Sequence, residues 1–256
     1  LSDDIIVYPA PGAGSACGKN LSQETYDTLG NQKKPNYALR PGLGKEQFIA
    51  ELLKGLTPPP GYFPKNVLMN INGYDSIDEV IQRGTKALNP DEFEVIANET
   101  DALVLDTRNA QTFAKGFIPG SINIGIDGGF AVWVGTLVSD IKQSLLLVTD
   151  PGREEEVAIR LARVGYDNIA GYLAGGFTTW QNAGKDVDTI TTVSTAEFAK
   201  AKENNTGINI LDVRKKSEYD SEHIVGAVNT PLDYINDSMA AIDKNKTYHV
   251  HCCLLY

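Results

Sequence analysis

Short apolar runs bounded by turn-forming residues alternate along this chain with stretches whose apolar positions follow a helical period. Leu145-Leu146-Leu147-Val148 and Ile169-Ala170-Gly171-Tyr172-Leu173 are continuous or nearly continuous apolar runs of strand length. They predict strands buried on both faces. Between them Val157, Ala158, Leu161 and Val164 share one helical face, which predicts a helix over 154–164 ending before Gly165. Gly176 to Asn182 reads as a closing helix, and Lys45 to Leu53 as an earlier one. Strands alternating with helices predict an α/β fold, with a mostly parallel sheet covered by helices on both faces.

The pattern occurs twice. Val104-Leu105-Asp106-Thr107-Arg108 returns as Ile210-Leu211-Asp212-Val213-Arg214, at an offset of 106 residues. The same offset carries Phe113 onto Tyr219, Ile118 onto Ile224, Gly120 onto Gly226 and Asn123 onto Asn229. Each copy opens on a helix-start signal. Asn89-Pro90-Asp91-Glu92 offers an N-cap, a proline in the first turn and a capping-box acid, and Ser194-Thr195-Ala196-Glu197 offers a cap and an acid. Each continues through a strand ending in Asp-x-Arg, a helical stretch, and a turn into a second strand. A unit of about a hundred residues, repeated, suits two tandem domains.

Composition narrows the partners. Of the 256 residues, 42% are hydrophobic and 22% charged, which fits a folded chain rather than a disordered one. The net charge of −10 argues against a nucleic-acid groove and against electrostatic attachment to anionic lipid. The longest apolar stretch, Phe130 to Val138, is short and is interrupted by Gly135, so no membrane span is expected. Cys17, Cys252 and Cys253 are too few for a disulfide framework, and a reducing cytoplasm is expected. The opening Leu1-Ser2-Asp3-Asp4 lacks an initiator Met and a signal-peptide character, so it is expected to fall in mid-protein.

Candidate chemistry concentrates at Cys252, delivered to a strand end by Tyr248-His249-Val250-His251. His249 and His251 lie two apart and share a strand face opposite Cys252, so packing of the histidines against a helix is expected rather than a His-Cys metal site. Gly12-Ala13-Gly14 through Gly18-Lys19 departs from both the Walker and the Rossmann patterns and reads as a turn. Cys17 reads as an inert thiol in that turn. Thr57-Pro58-Pro59-Pro60 reads as an extended connector.

The ordered motifs resemble the rhodanese-like domain. They run from strand–Asp-x-Arg through Phe117-Ile118-x-Gly120-Ser121-Ile122-Asn123, or His223-Ile224-x-Gly226-Ala227-Val228-Asn229, to a third strand and its loop. The flank, with Ile5-Ile6-Val7-Tyr8-Pro9-Ala10, Gly12-Ala13-Gly14-Ser15 and Tyr62-Phe63-Pro64, is similar to the end of a metallo-β-lactamase-fold lobe. The resemblance implies three segments. Residues 1–88 would be the C-terminal remnant of that lobe, 89–188 a rhodanese-like domain without an active-site Cys, and 189–256 a second one truncated just after its Cys. The order resembles persulfide dioxygenase–rhodanese fusions.

Rhodanese-like domains carry sulfur as a cysteine persulfide inside a loop of the form Cys-x-x-Gly-x-Arg, whose N–H groups and following helix stabilise the thiolate. The resemblance implies Cys252 as the persulfide carrier in the parent protein. It places Asp150, in Thr149-Asp150-Pro151-Gly152-Arg153-Glu154, in the degenerate site of the first unit, where capping of the next helix is its expected role. Asp106–Arg108 and Asp212–Arg214 are expected to tie strand ends structurally, with steering of an anionic substrate as the alternative.

The implied parent takes a small persulfide or thiosulfate-type substrate and uses iron. This chain carries no cofactor site of that kind. Its three histidines, His223, His249 and His251, all lie in the second unit, and Pro11 stands where the lobe's histidine is usual. Little or no activity is therefore expected of the chain itself, with fraying or self-association after about residue 190. Two alternatives stay open: a non-catalytic scaffold or docking module, and a fragment of a glutathione-thioester hydrolase.

Overall fold

A computed structural model describes residues 1–8, 25–53, 62–205 and 207–252. The expected glycine-rich turn, Cys17 and the proline-rich connector lie outside the described residues. The chain divides into two compact units, Leu1–Pro59 and Pro60–Tyr256.

In the first, β1 (Ile6–Val7) pairs antiparallel with β2 (Asp27–Thr28). The Thr28 hydroxyl accepts from the Asn31 N–H and caps α1 (Leu29–Gln32). Helix α2 (Lys45–Leu53) forms where a helix from Lys45 to Leu53 is expected.

The second unit opens with α3 (Phe63–Asn72) and α4 (Ile77–Gly84). The first repeat follows: β3 (Ala87–Leu88), α5 (Pro90–Glu99), β4 (Leu103–Asp106), α6 (Ala110–Lys115), β5 (Ile122–Asn123), α7 (Phe130–Leu137), β6 (Leu145–Val148), α8 (Glu154–Ala162), β7 (Ile169–Leu173) and α9 (Gly176–Asn182). Its five strands lie in the order β3-β7-β6-β4-β5, all parallel. Strand β3 was not anticipated. Two residues carry no periodicity, and β3 exists through its pairing with β7. Helix α4 packs on α8 and β7, so in packing terms the first sheet draws on residues upstream of 89.

The sheet is buried on both sides. Leu105, Leu145 and Leu147 meet Phe130 and Val134 of α7 and Val157, Ala158 and Leu161 of α8. Val104, Leu146 and Val148 meet Phe93 of α5 and Phe177 and Trp180 of α9. Alternate side chains of one strand point to opposite faces, so a strand covered on both faces must be apolar throughout. That is why β6 reads as four consecutive aliphatic residues.

The second repeat contains α10 (Thr195–Asn204), β8 (Asn209–Asp212), α11 (Lys216–Ser221), β9 (Ala227–Asn229), α12 (Ile235–Ser238) and β10 (Tyr248–His251). Its strands lie parallel in the order β10-β8-β9. Both expected capping boxes form, Asn89 with Glu92 and Ser194 with Glu197. Register sets Leu211 between Val228 and Val250. Those two valines are 60% and 59% exposed, whereas the corresponding face of the first sheet lies under α7 and α8. Among the described residues, β10 also has no strand on the edge that β7 fills beside β6.

Candidate functional site

Both Asp-x-Arg turns sit at the carboxyl ends of the strands that precede them. Arg108 Nε donates to both carboxylate oxygens of Asp106 at 3.0 Å, and Nη2 donates to Oδ2 at 2.6 Å and to the Gly116 carbonyl at 2.9 Å. The guanidinium also lies 4.2 Å over the ring of Phe177. Asn123 Nδ2 donates to the carbonyls of Asp106 and Arg108, both at 2.9 Å. The second repeat builds the same knot. Arg214 forks onto Asp212 and reaches the Glu222 carbonyl, and Asn229 closes the turn onto Asp212 and Arg214. Arg214, followed by the smaller effect of His251, holds the Asp212 carboxyl below its ordinary value. Arg108 is buried, and its guanidinium is bound to Asp106 and the Gly116 carbonyl. Each arginine ties the end of its strand to the turn that follows it.

The loop after β6 differs from expectation. Asp150 does not cap α8. The capping position is Arg153, without a side-chain cap, and Asp150 contributes only its carbonyl, to the Arg153 N–H at 3.1 Å. The Pro151-Gly152 turn, with Gly152 at φ +89, delays the helix to Glu154 and leaves Asp150 too far upstream to reach the first free N–H groups. Glu154 instead accepts from the Gly152 N–H at 3.1 Å.

An ion cluster that the sequence reading did not find spans the mouth of this loop. Arg153 binds Asp127 on the segment after β5, at 3.3 and 3.0 Å, and Glu156 at 2.9 and 3.1 Å. Hydrogen bonding to Arg153 lowers the carboxyl pKa of both Asp127 and Glu156. The only signal in the sequence was an arginine bordering three consecutive glutamates.

Cys252 follows β10 directly and is half-buried. Register changes its counterpart. His251 lies opposite Asp212, as Val148 lies opposite Asp106. The Val213 N–H donates to the His251 carbonyl at 3.0 Å, as the Thr107 N–H donates to Val148 at 2.8 Å. Cys252 therefore occupies the place of Thr149, not of Asp150. Cys253 lies outside the described residues. Under either alignment the first repeat has no thiol, because no cysteine stands between Cys17 and Cys252.

The histidines do not converge. His249 packs 5.4 Å from the ring of Phe198 on α10, with Nδ1 buried and unpartnered among the described residues, and His223 stacks 3.9 Å from Tyr219. Among the described residues no three His, Cys, Asp or Glu side chains are placed to hold a metal ion. No described helix is long and apolar enough to cross a membrane.

These motifs match a known domain twice. The rhodanese-like domain model fits residues 89–183 and again 194–253, more than half of the chain. The chain belongs to the rhodanese-like domain family. No curated protein matches it by sequence. Among solved structures, a metallo-β-lactamase from Staphylococcus aureus is 29% identical, with a TM-score of 0.49 over 67% of this chain and 45% of its own. A thiosulfate sulfurtransferase from Pseudomonas aeruginosa is 21% identical, with a TM-score of 0.35 over 71% of this chain and 39% of its own. The rhodanese-like chain thus spans less than half of the length of either.

Proposed function

We propose that this chain belongs to a sulfane-sulfur-handling protein in which Cys252 accepts the sulfur and the first rhodanese-like repeat serves as a thiol-free structural or docking module. The observation that carries the reading is that β10 delivers Cys252 directly to the strand end fixed by the Asp212–Arg214 pair, in the second of two rhodanese-like repeats, although register sets it one residue before the counterpart of Asp150. With thiosulfate as donor, the Cys252 thiolate would attack the outer sulfur. The sulfur–sulfur bond breaks, sulfite leaves, and a cysteine persulfide remains. Cyanide would then take the outer sulfur as thiocyanate and return the thiolate.

Turnover should be slow. The thiolate is the attacking form, and nearby positive charge or N–H donors favour it. The nearest arginine on the adjoining turn, Arg214, is engaged by Asp212 and the Glu222 carbonyl.

The finer reading is a persulfide dioxygenase fused to rhodanese-like domains, with residues 1–88 derived from the metallo-β-lactamase-fold lobe and a small persulfide or thiosulfate-type substrate. The iron of such a fusion does not fit the described residues, which bring no ligand set together. The low cysteine count motivates a cytoplasmic location, and the net charge of −10 a protein without nucleic-acid partners. The test is loading with thiosulfate followed by cyanolysis. About one labile sulfur per chain, lost in Cys252→Ser and kept in Cys253→Ser, is the expected result. Equal loading of the Cys252→Ser variant would refute the assignment.

A further inference from the structure

Asn236 lies in α12, within the connection that runs from β9 to β10 in the second repeat. Its side-chain amide reaches the first repeat and donates to the carbonyls of Thr136 and Leu137 at 3.3 and 3.1 Å. These belong to the last turn of α7, where an α-helix leaves its carbonyls without intrahelical donors and carries negative partial charge. A neutral amide suits that end and a carboxylate does not.

From Asn236 a run of backbone hydrogen bonds leads to the thiol. The Tyr234 N–H donates to the Pro231 carbonyl at 3.0 Å, and the Leu232 N–H donates to Val213 at 3.0 Å. The Thr230 N–H donates to Asp212 at 2.8 Å, and the Val213 N–H donates to His251 at 3.0 Å. Cys252 is the next residue. The turn that bonds the His251 carbonyl, just before Cys252, is therefore bonded on its other side to a connection anchored on α7.

We propose that Asn236 is a positioning residue for Cys252. By capping α7 it fixes the β9–β10 connection, and through Leu232 and Val213 it fixes the strand end that carries the thiol. The inference rests on Cys252 being the sulfur acceptor. It gives the thiol-free first repeat a definite part in the chemistry of the second, as the mount against which the sulfur site is held.

The experiment uses the full chain with Cys17→Ser and Cys253→Ser, so that Cys252 is the sole thiol. Asn236, Asn236→Ala, Asn236→Asp and Asn236→Gln are compared in that background. Two rates are read: alkylation of Cys252 by iodoacetamide across pH, which reports the thiolate, and sulfur loading from thiosulfate. The fluorescence of Trp133 and Trp180, both in the first repeat, checks folding.

The Ala and Asp variants should shift the alkylation pH profile and slow loading by about fivefold, a size typical of mutations along a coupled network. Asn236→Gln, which keeps the donor, should recover toward the parent. One shared pH profile and one loading rate for all four chains would overturn the proposal, as would Asn236→Gln behaving like Asn236→Asp. If the parent background takes up no sulfur at all, it is the reading of Cys252 as acceptor that fails, and the alkylation profiles still decide the role of Asn236. If Asn236→Ala disturbs the tryptophans, the contrast between Asn236→Asp and Asn236→Gln decides in the same way.

Discussion

Arg108 grips both oxygens of Asp106 inside the protein, with Asp106 fully buried and the arginine side chain only 6% exposed. Such a pair contributes little as a pair, because both charges have left water, yet removing one partner strands the other. Asp106→Ala should destabilise the first repeat by about 3–5 kcal/mol. Replacing both residues with apolar ones of similar volume should cost clearly less. Urea unfolding followed through Trp133 and Trp180 measures both. Equal losses in the single and double variants would contradict this account.

The matching pair in the second repeat links stability to pH. The hydrogen-bonded Arg214 depresses the Asp212 carboxyl below its ordinary value of 3.8. A depressed acid stabilises the fold fully above its unfolded pKa and loses that stabilisation as pH falls through the folded pKa. The Asp212 contribution should therefore be intact at pH 5 and above and decline below about 4. Asp212→Asn should be less stable at neutral pH and show a flatter acid limb. Denaturant midpoints measured between pH 2 and 7 check the slope, and parallel curves for the two proteins would count against it.

Gly135 faces the ring of Tyr62 so closely that a Cβ would fall 2.0 Å from Cδ1. Helix propensity alone favours alanine over glycine in α7 by about 1 kcal/mol. Forcing a methyl group into a packed ring costs about 1–3 kcal/mol and needs the buried Tyr62 to move. The clash should win, so Gly135→Ala lowers stability. In a Tyr62→Ala background the same change should be neutral or favourable. Thermal midpoints of the four chains form the cycle, and additive effects would show that the two residues do not meet.

Legibility in the sequence followed the locality of each signal. The bounds of β6, β7, α9 and α2 were readable because short apolar runs and helical periods are local properties. Both capping boxes were readable for the same reason. Helix α7 was read as an apolar stretch interrupted by Gly135, whose reason for being there, Tyr62, lies far off in the chain. The two-residue β3 takes its identity from β7. At the candidate site the repeated Asp-x-Arg was visible, but the Gly116 and Glu222 carbonyls that complete it were not. Cys252 was matched to Asp150 by motif order. The pairing of β8 with β10 places it opposite the position of Thr149, since motif spacing does not fix strand register.

The two repeats should differ in how readily their third strands open. Strand β6 lies between β4 and β7, with both faces buried. Strand β10 pairs with β8 alone among the described strands, and Val250 on it is 59% exposed. Opening β10 breaks one ladder and exposes little apolar area, whereas opening β6 breaks two ladders and uncovers four buried side chains. Local opening free energy follows such differences. Amides of Tyr248–His251 should exchange at least about a hundredfold faster than those of Leu145–Val148, a gap of roughly 3 kcal/mol. Hydrogen exchange read by mass spectrometry on the full chain resolves the two segments. Equal protection would mean that β10 is covered by contacts absent from the three-stranded sheet, and the exposed Val228–Leu211–Val250 row would then be the first place to look.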